Sequence, residues 1–210
     1  MSDHSTRKWT VLIAIGISTF MSALDGSIVN TLLPLLGRSL GAGVADVEWV
    51  VTVYLLVVSG LLLVAGRLGD LRGHKVIFMS GYAGFTLSSG LCGLAPTLGW
   101  LVAARALQAL FASLLYATAP AILSASFPPA ERGRALGLQA VMTYLGLAAG
   151  PPLGGFLSTH FGWASVFYVN LPIGAVGCWL AWRAVERDRP AVSRARFDIA
   201  GAVLFFVGLL

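Results

Sequence analysis

Charge is what this chain has least of. Asp, Glu, Lys and Arg make up 11% of its 210 residues, against about a quarter in a soluble globular domain. With 57% hydrophobic residues and a mean hydropathy of +0.84, there is more apolar surface than a water-soluble core of this length can absorb, so a soluble fold is excluded. Cysteine is scarce too. Cys92 and Cys178 have no metal-like spacing, and as lone thiols in apolar stretches they read as fillers rather than a disulfide; no metal site is expected.

What the chain has instead is long apolar runs. About 20 residues cross a hydrocarbon core of ~30 Å, and runs of that order lie at roughly 10–33, 47–65, 76–94, 98–123, 135–157 and 165–182. They predict six membrane-spanning helices within residues 10–184, flanked by a cytoplasmic N-terminus at 1–9 and a cytoplasmic loop at 185–196. A seventh span begins near Phe197 and is cut short at Leu210, so the expectation is the first part of a longer protein.

Twelve of the fourteen Lys and Arg fall in the N-terminus or in alternate loops: Arg7 and Lys8; Arg67, Arg72 and Lys75; Arg132 and Arg134; Arg183, Arg187, Arg189, Arg194 and Arg196. The opposite face has Arg38. Basic loops stay on the cytoplasmic side, which places the N-terminus inside the cell. Topology thereby accounts for the net charge of +5, and no nucleic-acid partner is expected. The first apolar run is too long for a cleaved signal peptide and reads as a retained anchor.

Between spans two and three, residues 66–75 (GRLGDLRGHK) form what the hydropathy pattern predicts to be a short turn. Gly66 and Gly73 permit close approach and reversal of two helices. Asp70 stands among Arg67, Arg72 and Lys75, where it can pair locally or cap a helix N-terminus from elsewhere in the molecule. By itself the segment need do no more than set orientation. Its G-x-L-x4-G spacing recurs 89 residues on, as Gly155, Leu157 and Gly162, after span five. Three spans per unit is an odd number, so the second unit enters from the other side and the pair predicts an inverted repeat. The external copy, Ser158-Thr159-His160-Phe161, is almost uncharged, as that requires.

In span five, Gly146, Gly150 and Gly154 recur every fourth residue and open one helix face to close packing, which a generic small-residue stripe would also do. Pro151 and Pro152 remove backbone donors and predict a bend one turn earlier, near Leu147 and Ala148. Two ionisable residues lie deep in spans. Asp25 falls past the midplane of span one, and Arg105 lies about seven residues, ~10 Å, into span four from the outside. Their similar depth allows contact, direct or through water, and residues this costly are functional candidates by default. The alternatives are snorkelling of Arg105 to the outer interface and a structural hydrogen bond of Asp25 near Ser27 or Asn30.

Taken in order, these segments resemble the major facilitator superfamily of secondary transporters. Residues 66–75 are similar to its loop between helices two and three, G-x-L-x-D-x-x-G-x-K, with Leu71 where the family often has arginine and Arg72 beside it. Residues 146–155 resemble the g-x-x-x-G-P-x-x-G-G signature of its proton-coupled antiporters. Residues 24–34 are similar to the first-helix motif l-D-x-T-i-v-N-v-A-L-P of the fourteen-span drug:proton antiporters (EmrB/QacA-type), with Asp25, Asn30 and Pro34 in register. Residues 101–113 resemble its fourth-helix motif l-x-x-x-R-x-x-q-G through Arg105 and Gln108, with Ala109 in place of glycine. Residues 49–55, 167–174 and Phe197-Asp198 also look like this branch.

The resemblance implies an all-α integral membrane protein: an N-terminal six-helix bundle with an inverted 3+3 repeat, plus the start of a seventh helix. It implies a multi-pass exporter of the cell membrane and not an enzyme, with protons as the coupling ion and no other cofactor. The implied partners are a drug-like small molecule, the bilayer and a second transporter half. Asp25 and Arg105 would couple protons; Gly66, Asp70, Arg72, Gly73 and Lys75 would form a conformational latch; Gly146, Gly150, Pro151, Pro152, Gly154 and Gly155 would form the antiporter helix. Asn30, Tyr54, Gln108 and Tyr144 are cavity candidates, with Trp49, Phe111 and Tyr116 as further aromatics. The other readings are a substrate:proton symporter of the same superfamily and a membrane receptor or scaffold that transports nothing.

Overall fold

The structure, a computed structural model, describes residues 2–186 and residue 208. Apart from Gly208, the expected seventh span lies outside the described residues, as do residues 187–196 of the expected loop. Among the described residues there is no strand. The chain folds as α1 (Ser2–Leu40), α2 (Val44–Arg72), α3 (His74–Gly93), α4 (Leu98–Ser126), a 3-10 turn (Pro129–Glu131), α5 (Arg132–Phe161), α6 (Ser165–Tyr168) and α7 (Asn170–Ala184). Six helical stretches among these residues are long and apolar enough to cross a membrane, with α6 and α7 together forming the sixth.

The helices overrun the apolar runs, because backbone hydrogen bonding continues past the hydrocarbon into the polar flank wherever no residue breaks it. Residues 66–72, expected as a turn, are helical. The reversal is confined to Gly73, whose φ of +93° is a conformation that a side chain disfavours. The Gly73 N–H closes α2 on the Gly69 carbonyl at 2.8 Å. The second copy behaves alike: α5 runs through residues 158–161, and Gly162 (φ +81°) donates to the Ser158 carbonyl at 3.1 Å.

The sixth span, expected as one helix, is interrupted at Val169. Pro172 lacks the N–H that would bond the Tyr168 carbonyl one turn earlier, so the break falls where the missing donor puts it. Pro151 and Pro152, by contrast, leave α5 uninterrupted.

The contacts repeat with the motifs. The most extensive pairing is α1 with α5; α4 with α2 and α4 with α3 follow equally, and α1 with α7 comes next. Exchanging the first three spans for the second three turns each pairing into its partner, as a 3+3 repeat requires. At the basic end, Lys8 pairs with Glu131 at 2.5 Å, Arg7 with Glu186, and Lys75 donates to the carbonyls of Trp182, at 2.9 Å, and Val185. The chain's N-terminal side, the α2–α3 and α4–α5 connections and the end of α7 therefore share one end of the bundle.

Candidate functional site

The site is built inside the bundle, where four spans each contribute a polar side chain at 1% exposure or less: Asp25 from α1, Ser89 from α3, Arg105 and Gln108 from α4, and Asn170 from α7. Arg105 Nη1 donates to Asp25 Oδ2 at 2.5 Å and to Gln108 Oε1 at 2.7 Å, and Nε reaches the Val50 carbonyl at 3.3 Å. The guanidinium also lies 4.1 Å from the centre of the Tyr54 ring on α2, close enough for cation–π attraction. Asp25 Oδ1 accepts from Asn170 Nδ2 at 2.9 Å and Gln108 Nε2 at 3.2 Å. Ser89 Oγ accepts from the same two amides and donates to the Phe167 carbonyl at 3.0 Å.

This arrangement decides two open questions of geometry. Arg105 does not snorkel; it turns inward to Asp25. Asp25 is not spent on Ser27 or Asn30 but on side chains of two other helices, α4 and α7. A buried ion pair is weak support for stability, because desolvation offsets much of its attraction.

A second contact ties α1 to α5. Pro151 cannot donate to the Leu147 carbonyl, and Ser27 Oγ on α1 takes the missing place at 2.8 Å. The glycine stripe makes room for it. A Cβ at Gly146 would stand 2.5 Å from the Phe20 carbonyl oxygen, one at Gly150 would overlap the Ser27 side chain, and one at Gly154 would stand 3.3 Å from Ile28 Cγ2. Gly155 faces open space, and Pro151 and Pro152 are exposed, so those three are outside the α1 contact.

In the 66–75 segment, Asp70 pairs locally, with Arg67 at 3.8 Å and His74 at 3.4 Å. Arg72 is exposed, while Lys75 reaches the carbonyl end of α7. Gly66 has space around it and is not part of a turn.

The cavity candidates separate. Tyr54 and Gln108 are buried in the network, whereas Asn30 and Tyr144 are exposed outside it. Trp49 is exposed, Phe111 packs on Gly84 of α3, and Tyr116 packs against the core. Cys92 and Cys178 are free thiols, and Cys92 lies 3.6 Å from Gln108 Oε1 at the edge of the network.

Ser89 and Asn170 are site residues that inspection of the sequence misses. The available signal was Asn170 within the 167–174 segment, a carboxamide in an apolar run. No group of His, Cys, Asp and Glu suited to a metal occurs among the described residues.

Comparison with known proteins bears on the family. The family model described as Major Facilitator Superfamily matches residues 15–207. The chain is 39% identical over 199 residues to the riboflavin transporter RibZ of Clostridioides difficile, a match covering 95% of this chain and 44% of that protein. It is 41% identical to the multidrug resistance protein Stp of Mycobacterium tuberculosis, covering 94% and 37%, and 36% identical to the tetracenomycin C resistance and export protein of Streptomyces glaucescens, with the same coverage. The chain thus spans less than half the length of these relatives.

Proposed function

The chain belongs to the major facilitator superfamily, and on that premise we propose that it forms the N-terminal bundle of a proton-coupled exporter of amphipathic, drug-like molecules, with its N-terminus in the cytoplasm. The observation that carries this reading is the enclosed carboxylate of Asp25, held by Arg105, Gln108 and Asn170. When the cavity opens, Asp25 exchanges a proton with one side of the membrane; when it closes, the proton is committed to the other. A cationic drug competes for the same charge, so drug release and proton uptake alternate. Relatives named for drug resistance and export support the direction of transport. No covalent chemistry is involved, and a second half supplies the opposing wall of the cavity.

A second reading, proton-linked uptake, has one observation in its favour: the similarity to a riboflavin transporter. Inside-out vesicles containing the complete protein separate the two. Antiport drives drug into the lumen when the lumen is acidified, and symport drives it out. Asp25→Asn is expected to abolish proton-driven accumulation and the pH dependence of drug binding. Normal proton-driven transport by Asp25→Asn would remove Asp25 from the mechanism.

A further inference from the structure

Asp25 sits in a ring whose hydrogens all suit a carboxylate. Asn170 Nδ2 donates to Asp25 Oδ1 at 2.9 Å and to Ser89 Oγ at 2.8 Å; Gln108 Nε2 donates to the same two oxygens at 3.2 Å each. Four bonds close the ring across α1, α3, α4 and α7, and Ser89 directs its own hydrogen out of it, to the Phe167 carbonyl. One atom is left over. Among the described residues, Asn170 Oδ1 is a buried oxygen without a hydrogen-bond partner, on the same amide that already touches the carboxylate.

A proton arriving on Asp25 Oδ1 puts a donor where the ring supplies donors, and the acid then needs an acceptor. Arg105 only donates, and the Gln108 oxygen already accepts from Arg105. We infer that Asn170 reads the protonation state of Asp25: its amide presents Nδ2 to the carboxylate and turns about Cβ–Cγ to present Oδ1 to the acid.

In the turned form Ser89 moves its hydrogen from the Phe167 carbonyl to Asn170 Oδ1. The turn gives up two donor contacts, so it is made only when Asp25 carries the proton. Releasing the Phe167 carbonyl acts on α6, next to the interruption at Val169, and this carries the proton's arrival into the sixth span. The titratable and charged groups around Asp25 are Arg105 and Tyr116 from α4, Tyr54 from α2 and Cys92 from α3; α7 contributes Asn170 and no titratable group. The inference rests on Asp25 as the proton carrier.

The test is infrared difference spectroscopy of the complete protein in liposomes, titrated with pH, with asparagine isotope-labelled at its side-chain amide. The expected result is a carboxylic-acid band, lost in Asp25→Asn, that appears together with a shift of a labelled amide band, lost in Asn170→Leu, the two sharing one midpoint. Where Asn170→Leu fails to insert, Ser89→Ala identifies the band instead, because it removes the oxygen that bonds the turned amide and so displaces the amide band while the acid band persists. An acid band from Asp25 with no accompanying asparagine band overturns the inference and leaves Asp25 as carrier. Absence of any acid band sensitive to Asp25→Asn overturns both.

Discussion

Removing either member of the Asp25–Arg105 pair leaves the other as a buried charge without its counter-charge. Breaking such a buried pair costs about 3–5 kcal/mol, whereas replacing both members by neutral groups is far cheaper. Arg105→Gln is therefore expected to lower the thermal stability of the purified protein sharply, and Asp25→Asn combined with Arg105→Gln to recover most of the loss. Additive losses in a melting experiment would mean that the pair is not coupled. The pair was legible in the sequence because ionisable residues in a span are rare and expensive. Ser89 and Asn170 were not legible, for a physical reason: a serine in a span usually satisfies itself on its own helix. Ser18, Ser22 and Ser88 do so, donating to the carbonyls of Ile15, Ser18 and Gly84. Only tertiary packing sets Ser89 apart from them.

At the scale of helices, the sequence shows which residues break a helix more clearly than where the helix ends. Polar residues 66–72 look like a loop but cost a helix end nothing where it emerges from the hydrocarbon, so the turn shrinks to Gly73. The prolines of α5 predict a bend, and what the sequence does not display is the partner for the carbonyl they release. Ser27 supplies it, and this gives a test by double mutation. Ser27→Ala leaves the Leu147 carbonyl without its side-chain donor, a loss of about 1 kcal/mol. Pro151→Ala restores a backbone N–H to the same carbonyl. In the Pro151→Ala background, Ser27→Ala should therefore have little further effect on stability or on transport rate. Equal effects of Ser27→Ala in both backgrounds would show that the hydroxyl acts elsewhere.

For the molecule as a whole, the six spans among the described residues and the repeat were legible, because hydropathy sets the first and the spaced glycines mark the second. Which helices touch was not legible, since every span is apolar and neighbours are chosen by shape, as where Gly146 and Gly150 admit α1. The bundle gathers Arg7, Lys8 and Lys75 at one end and binds them to the carboxylates and carbonyls of the α4–α5 connection and the end of α7. A bundle fastened in this way is built to move as one body. On the proposed mechanism, however, one bundle rocks against another around a shared site, and a single rigid bundle cannot by itself expose Asp25 to each side in turn. The 210-residue chain, purified and reconstituted by itself, should therefore insert and keep its helical content but carry no proton-driven drug flux. Robust flux from a demonstrated monomer would contradict the rocking model. Flux that rises with the square of chain density would instead show that two copies supply each other's missing wall.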